Sequence, residues 1–294
     1  DFQEIKAIIQ KIQELLNTIQ NDNWYNPKKV IKYIKNLRDN DILRTKEFAR
    51  VSAILKKPIS KEIIIKSKDN KKLDAILIFS SNLGERTNSN NLIIVCGPNL
   101  TPFENLINSW DIDNLYLYND TDILFWNYRG YGFSEDSANF TNIQEDILSV
   151  FDYITKEYNY NKIGVHGLSI GGIAACYLAN QRTINLLIAD RTFGSTEGIL
   201  DNFILSKYMK YLAKLLFIPF VDNACNYMGA NCNKIMLNDV EDKTIADSVS
   251  LKTIVAQKII YKIFNETNPE LNIRNCKSKN IIDYSLEPEE AQNI

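Results

Sequence analysis

The sequence predicts an α/β fold: a mostly parallel sheet with helices on both faces, preceded by an N-terminal helical extension. Three observations carry this reading. Short Ile-rich runs recur from residue 62 onward, several of them are separated by stretches of helical periodicity, and 45% hydrophobic residues in a chain of 294 suffice for a sizeable core.

Taken in order, the chain opens with Phe2, Ile5, Ile8, Ile9, Ile12, Leu15, Leu16 and Ile19 at three- and four-residue steps, one apolar stripe on a helix. A second, basic helix is expected after Pro27, with Val30, Ile31, Ile34 and Leu37 facing inward. Two roles fit this extension, residues 1–58: packing on its own domain, or offering the N-terminal helix to a protein partner. After Pro58 the pattern changes. Runs at 62–65, 73–79, 92–96, 123–127, 163–166, 186–189 and 235–237, bounded by Gly, Asn and Ser, read as strands. Helical patterns at 143–158 and 171–180 lie between them, so residues 59–294 form the main α/β domain. Apolar residues from 194 to 221, including Phe203, Leu212, Leu215, Leu216, Phe217 and Phe220, interrupt the alternation where a cap would sit. Residues 80–91 are expected to form a polar surface loop.

Composition removes several function classes. Thirty-four basic against thirty-six acidic residues leave a net charge of -2 and no basic stripe, which argues against nucleic acid. Five cysteines without framework spacing favour reduced thiols, hence an intracellular setting, cytoplasmic or organellar. Cys225 and Cys232 have no histidine nearby and make a poor zinc site, so no metal or cofactor is implied. Asn-x-Ser/Thr triplets at Asn99, Asn119, Asn139 and Asn265 carry little weight in so Asn-rich a chain. No transmembrane segment is expected, since even residues 212–221 are interrupted by Lys214.

The chemistry concentrates in Gly167-Leu168-Ser169-Ile170-Gly171-Gly172, between an expected strand and an expected helix. A Gly-x-Ser-x-Gly turn there is a nucleophile elbow: the serine takes a strained backbone conformation, and small neighbours avoid clashes. Gly167, Gly171 and Gly172 occupy the crowded positions, and Ala174 and Ala175 keep the helix close to the sheet.

With three further stretches this elbow resembles the α/β-hydrolase superfamily, in particular its serine-peptidase-like branch that includes intracellular acyl-hydrolases, with protist members nearest in look. The stretches are Trp126-Asn127-Tyr128-Arg129-Gly130-Tyr131-Gly132-Phe133-Ser134, Ala189-Asp190-Arg191-Thr192-Phe193 and Asn238-Asp239-Val240-Glu241-Asp242-Lys243-Thr244-Ile245. Together the motifs cover about residues 73–264. The resemblance implies the α/β-hydrolase fold, Ser169 as nucleophile and Asp242 as triad acid, with Asp239 as the fallback acid. Either carboxylate also suits a solvated turn. Asp190 fits the motif as an ordering residue behind the elbow, and Arg129 as the partner of a carboxylate.

Oxyanion stabilisation in this fold uses two backbone N–H groups, one on the residue after the serine, here Ile170. The other belongs to the loop after Cys96. Pro98 has no N–H to give, which leaves Asn99 or Leu100. Relatives often carry His-Gly and further glycines in this loop, so Gly97-Pro98 is a departure.

The base is the open question. The chain holds one histidine, His166, and none follows Asp242. Three readings compete: His166 turns back to the serine, the base lies in polypeptide beyond Ile294, or the site has decayed. Removing the base from a serine triad costs on the order of a million-fold in turnover, about 8 kcal/mol. Lys243 does not replace it, because Asp242 and Glu241 would hold it charged. Two functions follow. One is hydrolysis of an acyl ester or thioester, on a small molecule or an acylated protein, by Ser169 with a supplied base. The other is an inactive homologue serving as a structural or interaction subunit of a larger assembly.

Overall fold

A computed structural model of the chain describes residues 41–56, 60–80, 90–109, 112–203, 220–239, 241–242 and 244–267. The two helices expected at 2–19 and after Pro27 lie outside these residues. The chain forms two compact units, Asp1–Val255 and Ala256–Ile294. In the second, only the helical residues 256–267 are described.

Seven strands, β1 (Ser60–Lys66), β2 (Lys72–Ile78), β3 (Asn91–Cys96), β4 (Thr121–Trp126), β5 (Lys162–Leu168), β6 (Leu186–Asp190) and β7 (Asn233–Leu237), form one sheet in the order β1-β2-β4-β3-β5-β6-β7. β2 pairs antiparallel with both β1 and β4, and every other pair is parallel. The mostly parallel sheet is the one expected. Its register sets Cys96 beside Gly167, Leu168 beside Asp190 and Asp190 beside Leu237, so the C-terminal ends of β3, β5, β6 and β7 share one edge.

Strand alternation builds a core on each face. Leu92, Ile94, Leu124, Trp126, Val165 and Leu187 face one side, where α4 (Phe140–Glu157), α5 (Gly171–Gln181) and α7 (Asn223–Gly229) contribute Ile147, Ile173 and Ala224. Ile93, Val95, Ile123, Phe125, Leu168 and Ile188 face the other. There α1 (Asp41–Lys56), α2 (Phe103–Ser109) and α3 (Ile112–Leu117) supply Ile54, Leu106 and Tyr116. The helix expected at 143–158 begins at Phe140, because Asn139 accepts from Asn142 N–H at 2.9 Å and donates its own N–H to Asn142 Oδ1 at 2.8 Å. This reciprocal cap contributes about 1 kcal/mol. On α4 the residues Ile143, Ile147, Val150 and Ile154 form a buried stripe, each worth about 1.5–3 kcal/mol.

α2, α3 and α7 are too short to show a helical period in sequence, and α1 hides its own. On the buried face of α1 sits Arg50, 2% exposed, donating to Glu104 Oε1 and Glu62 Oε1 at 2.9 Å each and paired with Asp74. Its guanidinium lies 4.7 Å from the Phe103 ring and 4.8 Å from that of Phe133. Truncating it would strand two buried carboxylates, a loss of about 3–5 kcal/mol.

The polar surface loop expected at 80–91 needs a correction at both ends. Ser80 is buried, with its N–H and hydroxyl both on Asp122 Oδ1 at 2.8 and 2.9 Å, and Asn91 opens β3. Residues 81–89 lie outside the described set. The excursion at 194–221 leaves and returns at one point: α6 (Thr196–Phe203) follows a Ser195–Asp222 bridge, and Thr196 N–H donates to Val221 O at 3.0 Å. Among the described residues no helix is long and apolar enough to cross a membrane, and Cys96 and Cys176 are buried thiols outside any disulfide.

Candidate active site

β5 ends at Leu168 and α5 begins at Gly171, so the chain reverses within two residues. Ser169 makes this turn at φ +53°, in the left-handed region. Its N–H donates to Asp190 O at 2.9 Å, and its carbonyl accepts from Gly172 N–H at 3.0 Å. The crowding is literal. A Cβ on Gly167 would lie 2.5 Å from Gly171 O, and one on Gly171 would collide with the backbone of Cys96 and Gly97. Ser169 is half-buried, and among the described residues its Oγ has no hydrogen-bond partner. Ile170 adopts helical geometry at φ -58°, and among the described residues neither its N–H nor that of Gly171 meets an acceptor.

The loop after β3 packs directly on this turn, and aromatic side chains hold it there. Trp126 Nε1 donates to Cys96 Sγ at 3.5 Å, and Tyr128 Oη to Gly97 O at 2.6 Å. Tyr131 Oη accepts from Leu100 N–H and donates to Asn99 Oδ1, both at 2.8 Å. The three rings stack edge to face, with centroids 4.8 and 5.6 Å apart. Of the two oxyanion donors weighed from sequence, Leu100 N–H is therefore engaged, and among the described residues Asn99 N–H is not. Behind the rings Arg129 makes two-pronged pairs with Asp146 at 2.7–2.8 Å and Asp69 at 2.7 Å, the carboxylate partnership expected of it.

Beyond β7, Asp239 and Asp242 occupy a tight turn. Asp242 Oδ1 accepts from Thr244 and Ile245 N–H at 2.7 and 3.1 Å, and Asp239 Oδ1 from Glu241 N–H at 2.9 Å. Lys243 lies outside the described residues. Both carboxylates act on Arg191. Its hydrogen bonds to Asp190 raise the guanidinium pKa most, burial opposes them, and the charges of Asp190, Asp242 and Asp239 add to the rise. Arg191 Nε meets Asp190 Oδ1 at 2.7 Å.

His166 is turned away from this chemistry. On β5 it faces the layer opposite α5, 3% exposed, with Nδ1 2.6 Å from Tyr116 Oη and Nε2 3.3 Å from Asp190 Oδ2. The Asp190 carboxylate only accepts, so Nε2–H donates to it, and in a neutral ring Nδ1 then accepts from the Tyr116 hydroxyl; burial pushes the Tyr116 pKa up. Burial works against the Asp190 carboxylate, but hydrogen bonds from His166 and Arg191 win, holding its pKa below the ordinary value. Asp190 thus orders the back of the elbow through its carbonyl and anchors His166 and Arg191 through its side chain.

The fold brings Ser169, Ile170 and the Asn99 loop into one packed unit, with Asp239 and Asp242 at the adjoining strand end beside Arg191. It adds no base among the described residues. Sequence reading passed over Tyr131 as a clamp and Arg191 as the cation beside both acids. Both lie in stretches that it quoted, but their contacts span 31 or more positions along the chain. Tyr116 offered no local signal.

Left-handed backbone separates this edge from the rest. Six non-glycine residues among those described have positive φ, and Asn70, Asp120 and Asp136 are of the types that tolerate it. The other three, Leu100, Ser169 and Arg191, follow the C-terminal ends of the neighbouring strands β3, β5 and β6.

The mostly parallel seven-stranded sheet with helices on both faces is the α/β-hydrolase fold, and the Ser169 turn lies where its β5 strand meets the following helix. No family model matches the chain. Among solved structures it is similar to an esterase from Pyrococcus furiosus, with a TM-score of 0.51 and 12% identity over 72% of this chain and 91% of that one. It is also similar to an α/β-hydrolase from Vibrio vulnificus, with a TM-score of 0.54 and 17% identity over 85% of this chain and 82% of that one.

Proposed function

We propose that the protein is a serine-dependent acyl hydrolase acting on an ester or thioester. The observation that carries this is Ser169 at φ +53°, its hydroxyl without a hydrogen-bond partner among the described residues and the Ile170 N–H unengaged beside it. A left-handed serine costs about 1–2 kcal/mol, and a glycine would relieve it. Ser169 Oγ bonds to the acyl carbon, and the carbonyl electron pair moves onto oxygen, held by the N–H groups of Ile170 and Asn99. Collapse expels the alcohol or thiol, which takes the proton the base removed from serine. Water then attacks the acyl-enzyme, releasing the carboxylic acid and restoring the hydroxyl. Asp242, or Asp239 in its place, orients the base. The cap expected at 194–221 and the extension expected at 1–58 belong to this reading, but residues 204–219, 1–40 and 57–58 lie outside the described residues.

The base in this scheme is not His166, because both ring nitrogens already have partners. Since the sequence holds no second histidine, an imidazole base has to come from outside it. That same observation favours a second reading, a hydrolase-fold subunit without catalysis that binds a protein partner through its N-terminal helix. Labelling with a fluorophosphonate separates them. Modification of Ser169, absent in Ser169→Ala, supports the hydrolase. An unmodified serine in the native protein, under conditions that saturate an active hydrolase, sinks it in favour of the subunit.

A further inference from the structure

Leu100 combines two features that neither packing nor local preference explains. Its backbone is left-handed at φ +57°, a conformation that glycine or asparagine adopts readily and leucine only at a cost of about 1–2 kcal/mol. Its side chain is 82% exposed, so burial in a core offsets none of that cost. The conformation is imposed from outside the loop by Tyr131 Oη, which accepts the Leu100 N–H at 2.8 Å while donating to Asn99 Oδ1. Gly97, three residues earlier, packs against Gly171 in the nucleophile turn. Three extended residues reach about 10 Å at most, which keeps Leu100 within that distance of the Gly97 contact with the Ser169 turn. A lone exposed leucine is ordinary, but here the strain, the external clamp and the place coincide.

We propose that Leu100 is a specificity-determining residue that meets the alkyl part of the acyl group, with Tyr131 as the positioning residue that presents it. This rests on the reading of Ser169 as the centre of an acyl-binding site, but it is a claim about contact and does not require turnover. On engaging the chain, the side chain passes from water into apolar contact. A partly covered leucine contact of this kind changes affinity by about five- to tenfold.

The test is calorimetric binding of octanoate and acetate to the full chain. Leu100→Asn keeps a residue suited to the left-handed backbone while removing the apolar surface, and Leu100→Met keeps the apolar surface. Octanoate is expected to bind the native protein and Leu100→Met alike, and Leu100→Asn about five- to tenfold more weakly. Tyr131→Phe should weaken it in the same direction, with faster hydrogen exchange at the Leu100 amide, and acetate should not distinguish any of them. Equal octanoate affinity in Leu100→Asn, or no octanoate binding by the native protein, overturns the proposal. Fluorophosphonate labelling is scored separately. Weakened octanoate binding with an unlabelled Ser169 leaves the contact standing and removes the hydrolase, whereas a labelled Ser169 with unchanged octanoate binding does the reverse.

Discussion

The left-handed residues of this chain fall into two groups that differ in residue type and in what holds them. Asn70, in the turn joining β1 to β2, Asp120, in the turn before β4, and Asp136 belong to types whose short polar side chains tolerate positive φ. Leu100, Ser169 and Arg191 gain nothing from their own chemistry in that conformation, and their surroundings impose it. The Tyr131 hydroxyl holds Leu100. Close packing of Gly167 and Gly171 holds Ser169, and Arg191 N–H donates to Leu237 O at 2.9 Å. Strain here marks the strand-end edge that holds the candidate site, whereas turns elsewhere are built from residues suited to them.

The severest loss is expected where the packing that enforces the strain is removed. Gly171→Val puts a branched side chain into the backbone of Cys96 and Gly97, and a loss of about 3 kcal/mol or more is expected in urea unfolding. A loss below about 1 kcal/mol would mean that the turn is not held by this contact.

Next in size is His166→Ala, expected to cost about 2 kcal/mol by leaving Tyr116 Oη and one side of Asp190 without partners. Fluorophosphonate reactivity of Ser169 should match that of the native protein in the folded fraction. Selective loss of labelling would make His166 the base after all.

Smaller changes sharpen the contrast. Ser169→Gly and Leu100→Gly each relieve about 1–2 kcal/mol of strain while adding about 0.4–1 kcal/mol of unfolded-state entropy, so each should stabilise, by up to about 1.5 kcal/mol. Asn70→Gly has little strain to relieve and should change stability by less than about 0.5 kcal/mol. If all three respond alike, the two groups are not distinct.

The smallest effect is on pH dependence. The Asp190 pKa is lowered in the fold, so its contribution is present above the unfolded-state value near 4 and is lost as pH falls through the folded value. Asp190→Asn should flatten the acid limb of a stability profile below about pH 4, and modestly, because burial opposes the hydrogen bonds. An unchanged acid limb would remove Asp190 from the account.

The Gly-x-Ser-x-Gly turn was legible in sequence because it is a local device. Strand, turn and helix occupy adjacent positions, and small residues announce the crowding. The runs of β3 to β6 were legible for the same reason, since strands buried on both faces are written as short, unbroken apolar stretches. α2 and α3 left no such trace, because seven- and six-residue helices do not complete two turns. α1 left none because Arg50 sits on its buried face, stabilised by carboxylates 12 to 54 positions away.

By itself, then, the sequence determined the fold class, the strand order along the chain, the position of the candidate nucleophile and the shortage of histidine. Only the tertiary structure decided that His166 is tied between Tyr116 and Asp190, that Leu100 N–H is engaged by Tyr131, and that Arg191 stands beside both candidate acids. The physical reason is range. Backbone conformation and burial period are set by near neighbours, whereas the partner of a side chain depends on which distant strands the sheet brings to one edge.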